Sequence, residues 1–341
     1  MSITLEHLRG GTYYFPLRYT NVGLYMFKKK CVLIDSGATE EEGKEIYDYA
    51  KSKGLNLDSL IITHAHADNC AGAHYLKSKA KLKVFSSREE AIILENPNRS
   101  SHSAIITELK ELDLTEDEME EDILRLRKDP RMRGKDIMQF VARKKIVPYN
   151  TVLKFKQCLV DGYLKNGDKF HLEYAMEHII KQEFQILGLA GHSIGQIGVV
   201  TPDKIFFIGD ALISKRELED NPIPYAIDIT KMKKTLESLL NSKLTYFVPT
   251  HGKPLEFSIT AEVANNKRQF KMLEDTIVLH LAMPRTTDEL IALVLQSFEI
   301  EENIPNFYLI SATIKAYLED LKKNKMLRVI HEKGKTRWFA G

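Results

Sequence analysis

The chain has 341 residues, 43% of them apolar and 28% charged, the profile of an ordinary globular protein with a real core spread over two domains or one large domain with an appendage. Its 49 Lys and Arg stand against 47 acidic residues, a net charge of +2 that argues against a protein built mainly to grip nucleic acid or an anionic membrane. Cys31, Cys70 and Cys158 are too sparse for a disulfide framework and suit a reducing compartment. No apolar run nears the ~20 residues that span a bilayer. The stretch from Met1 to Gly11 carries Glu6, His7 and Arg9 and does not read as a signal peptide. The expected location is therefore cytoplasmic, with no membrane partner.

Strand patterns come first. Thr12–Phe15 and Val22–Phe27 lead through a Lys28–Lys30 turn into Cys31–Asp35. A helix follows Gly37, with Thr39 as its cap, Ile46, Tyr49 and Ala50 on one face and Gly54 as its stop. Leu60–Thr63 reads as a short buried strand, Ala73–Lys79 as a helix and Leu82–Phe85 as the next strand. This rhythm predicts an α/β layered fold.

Between about 99 and 147 the character changes. Residues 108–122 hold nine acidic side chains and one Lys, whereas 125–145 hold nine basic ones and two Asp. The spacing of Ile123, Leu124 and Leu126 predicts an all-α insertion with segregated charge, a solvated excursion or a lid over a site. Strands return at Phe184–Leu187, Ile197–Val200, Ile205–Ile208 and Tyr246–Val248, and helical pattern from about Ile259. Thr287–Leu290 opens a further helix, Ile310, Ile314, Leu318 and Leu321 mark the face of another, and Met326–Ile330 pairs with Thr336–Ala340 around Glu332–Lys335. Helices followed by a two-stranded wing predict a small winged-helix-like domain. The expected division is 1–255 for the main domain and 256–341 for a linker helix and that appendage. Basic residues from Lys315 to Arg337 would suit a groove of nucleic acid, but packing or homodimer formation is the favoured role.

Four polar clusters directly follow predicted strands: His64-Ala-His66-Ala-Asp68-Asn69, Gly191-His192-Ser193, Gly209-Asp210 and Thr250-His251-Gly252. In open α/β sheets, sites gather beyond the carboxyl ends of strands. Imidazole and carboxylate ligate zinc and also suit iron and manganese, and two histidines two apart in a tight loop can turn to one ion. His7, His74, His102, His171, His178, His280 and His331 lack this placement and read as ordinary histidines. Cys70 adjoins the cluster and reads as a small buried residue rather than a nucleophile.

The ordered set resembles the metallo-β-lactamase superfamily, whose signature runs His-x-His-x-Asp-His, then a later His, a later Asp and a final His. The resemblance covers roughly residues 10–255 and implies an αββα sandwich, here with a helical insertion and the C-terminal winged-helix-like domain. It implies a first metal site of His64, His66 and His192, and a second of Asp68 and His251, with Asp210 between them. One departure matters: the last His of the first motif is Asn69, a weak oxygen donor that takes a ligand from the second site.

The resemblance further implies a hydrolase in which a metal-activated water attacks a thioester, lactone or phosphodiester of a small molecule, with Asp68 orienting that water or taking its proton. The expected cofactor is zinc, one or two ions, with iron or manganese as alternatives. Two other readings stand beside it. One is a thiol dioxygenase holding a single iron by His64, His192 and Asp210. The other is a non-catalytic or nucleic-acid-binding module on a degenerate hydrolase fold.

Overall fold

The computed structural model describes residues 3–97, 155–175, 179–300 and 304–341. The helical insertion expected over about 99–147 lies outside these residues. Two sheets make the centre of the molecule. The first runs in chain order through β1 (Glu6–Arg9), β2 (Thr12–Pro16), β3 (Asn21–Phe27), β4 (Lys30–Ile34), β5 (Asn56–Ile61), β6 (Lys83–Ser86) and β7 (Gly162–Tyr163). It is antiparallel as far as β4 and parallel from there, with Leu33 opposite Leu60 and Ile34 opposite Ile61. The second has the order β13-β12-β11-β10-β9-β8, built from β8 (Lys169–Ala175), β9 (Ile179–Gly188), β10 (Ile197–Val200), β11 (Phe206–Gly209), β12 (Tyr246–Pro249) and β13 (Leu255–Glu256). In it β11 and β12 are the parallel pair.

The strands read as continuous apolar runs because both of their faces are covered. Along β4, Cys31 and Leu33 pack outward while Val32 and Ile34 pack against the other sheet. Along β11, Phe206 and Ile208 face outward and Phe207 faces in. The inter-sheet layer also holds Tyr25, Ile61, Phe184, Ile186, Val199 and Val248. Outside the first sheet lie α1 (Glu40–Ser52), capped by the Thr39 hydroxyl, and α3 (Ala73–Ala80), which bury Ile46, Ala50 and Leu76. The one-turn α2 (Ala67–Cys70) and α4 (Arg88–Glu95) complete that side. The fold is thus α/β, two facing sheets flanked by helices.

Outside the second sheet lie α5 (Lys215–Asp220), α6 (Ile229–Leu240), α7 (Thr260–His280), α8 (Thr287–Ser297) and α9 (Ile304–Lys323). The chain closes with the hairpin β14 (Leu327–Glu332) and β15 (Lys335–Ala340), whose turn at Lys333 and Gly334 falls where the sequence puts it. The C-terminal helices do not keep a core to themselves. Ile314, Tyr317, Leu318 and Leu321 share one apolar layer with Met232 and Leu236 of α6 and with Phe206 and Phe247 of the sheet. The buried Tyr317 hydroxyl donates to the Phe270 carbonyl at 2.7 Å. No helix among the described residues is long and apolar enough to cross a membrane.

Candidate metal centre

Each of the four clusters sits where a strand runs out. Past β5 the chain turns at Thr63, whose N–H donates to Asp35 Oδ1 at 2.8 Å, and this presents His64 fully buried. His66 then starts α2, so Asp68 and Asn69 ride a helical turn just past the tight loop of the two histidines. Its bonds, Asn69 N–H and Cys70 N–H to the His66 carbonyl, span too few residues to leave a periodic signal. His192 follows Gly191, which has φ +136° and whose missing Cβ would stand 2.5 Å from the Met232 backbone, so only glycine fits. Asp210 follows β11, its N–H donating to Gln196 Oε1 at 3.0 Å. His251 follows β12.

The side chains converge. Single donor atoms of His64, His66, His192 and Asp210 all lie within 4.8 Å of one another, and so do those of Asp68, Asp210 and His251. Asp210 belongs to both groups: its Oδ2 is 3.3 Å from His64 Nε2 and 3.1 Å from His192 Nε2, and its Oδ1 is 3.8 Å from His251 Nε2. Asp68 Oδ2 is 3.1 Å from His251 Nε2. His66 Nδ1 and His192 Nε2 stand 2.9 Å apart. Asn69 is inside the site, with its amide nitrogen 3.3 Å from both His64 Nε2 and Asp68 Oδ1. His7, His74, His171, His280 and His331 stand in neither group, and His102 and His178 lie outside the described residues.

The surroundings settle which nitrogen of three imidazoles carries the proton. The Thr63 hydroxyl donates to Asp35, leaving a lone pair for His64 Nδ1–H at 3.2 Å. His192 Nδ1–H faces the Tyr225 carbonyl at 3.3 Å, and His251 Nδ1–H faces the Tyr19 carbonyl at 2.7 Å. All three Nε2 atoms then face two carboxylates, so a positive charge has to sit between them, either a proton or a metal ion. These residues therefore fit a divalent metal ion. Without a metal the carboxylates hold protons on the imidazoles instead. Burial pulls the His64 pKa down, but the hydrogen bond and charge of Asp210 carry it up to about 9. His251 is likewise held well above the usual value against burial by Asp210 and Asp68, and Asp210 well below its own by His192 and His251.

Sequence reasoning missed part of the support. Asp35 is buried in left-handed backbone, φ 63°, with its pKa pushed up to about 7 by burial. The Asp35-Ser36-Gly37 run follows a strand like the ligand clusters, and that placement was the available signal. Tyr225 stacks edge-on against His66 and His192, ring centroids 5.6 and 5.3 Å away, with no comparable mark in the sequence. Cys70 is buried, and burial with the Asp68 charge holds its thiol well above the usual range, which suits an inert residue.

Two sheets flanked by helices, with His and Asp side chains gathered at the strand ends, define a metallohydrolase-type sandwich. The metallo-beta-lactamase superfamily model matches residues 16–251, and the chain belongs to that superfamily. A search of curated proteins finds no match. Among solved structures, a metallo-beta-lactamase family protein from Thermus thermophilus is 15% identical with a TM-score of 0.62, over 100% of this chain and 99% of that one. A beta-lactamase domain protein from Burkholderia ambifaria is 14% identical with a TM-score of 0.65, over 99% of this chain and 93% of that one. At these identities the likeness is one of fold, and it extends through the C-terminal helices.

Proposed function

We propose that the chain is a hydrolase that uses a metal-activated water to cleave an ester-like bond, a thioester, lactone or phosphodiester, in a small-molecule substrate. The observation that carries this reading is the convergence of three oriented imidazoles and two carboxylates at the strand ends. His64, His66, His192 and Asp210 would hold one zinc ion, and Asp68, His251 and Asp210 a second. A bound divalent ion supplies water of lowered pKa and a Lewis acid for the scissile oxygen. Asp68, whose two oxygens lie beside Asn69 and His251, would orient that water or take its proton. His66 stands with His64, His192 and Asp210, which favours this set over an iron site of two His and one Asp.

Elemental analysis of freshly purified protein, with turnover of a thioester, a lactone and a phosphodiester, tests the reading. Zinc is expected, with activity lost to a chelator and restored by zinc. His64→Ala and His192→Ala should lose first-site metal and essentially all activity, and His7→Ala neither. A His192→Ala protein with full metal load and turnover overturns the assignment.

A further inference from the structure

Glu90 carries a carboxylate that is wholly buried, on the first turn of α4, and it is not among the candidate ligands. One oxygen, Oε2, accepts the backbone N–H of Ala65 at 2.8 Å, the residue between His64 and His66. The other, Oε1, accepts the Ser193 hydroxyl at 2.7 Å and the Gly195 N–H at 2.8 Å, on the loop that carries His192. All three donors are neutral, although burying a carboxylate is expensive and a neutral side chain would have filled the space more cheaply. The same loop lies directly on α4: a Cβ on Gly195 would stand 2.4 Å from Ser87 Oγ and 2.7 Å from Glu89 Cβ. Helix α4, its N-cap Ser87 and Gly195 thus bring one carboxylate between two loops that are over a hundred residues apart in the chain.

We propose that Glu90 is a positioning residue of the metal centre, whose two oxygens set the spacing between the His64–His66 loop and the His192 loop. The inference rests on the metal-binding reading above. A carboxylate has a fixed bite and accepts on both sides, so the two loops cannot drift independently while both oxygens are engaged. His66 Nδ1 and His192 Nε2, 2.9 Å apart, are the pair whose separation it governs. Glutamine has the same shape, but its NH2 must face a donor on one side or the other, so it can hold only one loop.

The test measures zinc affinity of the full chain by competition with a chromophoric chelator, and the visible d–d spectrum of the cobalt-loaded protein. Glu90→Gln is expected to raise the zinc Kd by roughly 10–100-fold, the usual effect of losing such support, and to alter the cobalt spectrum. Thr286→Ala removes a helix cap on α8, away from both loops, and should lower Tm while leaving Kd and spectrum as in the wild type. Ser193→Ala removes one of the three bonds and should raise Kd by less; if Glu90→Gln does not fold, this variant decides. Unchanged Kd and spectrum in Glu90→Gln, or in Ser193→Ala where it decides, overturn the proposal, as does an equal loss of zinc affinity in Thr286→Ala. A wild type that takes up no zinc overturns the metal reading itself and the positioning role with it.

Discussion

Asn69 shows how much one side chain can decide. It lies in the centre against His64, Asp68 and the Thr20 hydroxyl, so its carboxamide occupies the space an imidazole would need. Asn69→His should raise metal content toward two ions per chain, read by titration against a zinc-competing chelator; an unchanged stoichiometry would show that the carboxamide does not limit the second site. Asp35 offers a test by pH. Its folded pKa, raised from 3.8 to about 7, means that the metal-free folded state holds an extra proton. Its contribution to stability is complete below 3.8 and is lost as pH rises through about 7. Chelator-treated wild type should therefore lose Tm relative to Asp35→Asn between about pH 4 and 8, and a constant difference would refute the shift. The candidate ligands were legible because each of the four clusters follows a strand-like apolar run and holds a glycine or a pair of histidines. Glu90 and Tyr225 were not: each sits among ordinary helix or loop residues, and what singles it out is three-dimensional.

At the scale of elements, the central strands were the readable part. Runs such as Val22–Phe27, Cys31–Ile34 and Ile197–Val200 are apolar on both faces because sheet and helices cover them. Only Phe184–Leu187 of the β8–β9 hairpin was seen: the far end of β9 is exposed at Ile179 and Ile180, but β8 alternates Phe170, Leu172 and Tyr174 with polar residues, a signal that was overlooked. Helix α6 was overlooked in the same way: Asp228 caps it, and Ile229, Met232, Leu236 and Leu239 form a regular buried face. Helix packing here also depends on absent side chains. A Cβ on Gly43 of α1 would stand 2.7 Å from the Gly72 Cα just before α3, and one on Gly72 would stand 2.2 Å from the Ser36 carbonyl oxygen. Gly43→Ala should therefore destabilise by about 1–3 kcal/mol in denaturant titration, although alanine is the better helix former. A gain in stability would mean that α1 can move away without loss.

For the whole molecule, the question is how the last 86 residues relate to the rest, since a boundary at 255/256 proposes a separate unit. The shared apolar layer of α6, α7, α9 and the second sheet predicts one cooperative unfolding transition. Leu321, buried near the end of α9, should cost about 2–5 kcal/mol on replacement by alanine. The Leu321→Ala midpoint should shift equally by near-UV and far-UV circular dichroism. A split transition, with only part of the signal displaced, would instead establish the C-terminal segment as a domain that folds alone.

The site draws on both sheets: His64, His66 and Asp68 stand beyond the first, His192, Asp210 and His251 beyond the second. Neither half owns a complete binding pocket, so the newly made chain offers an ion only the short His64–His66 chelate until the sheets have met. Tight metal binding would then follow the meeting of the sheets and report on it. A copy whose halves had not closed would offer an ion no complete site.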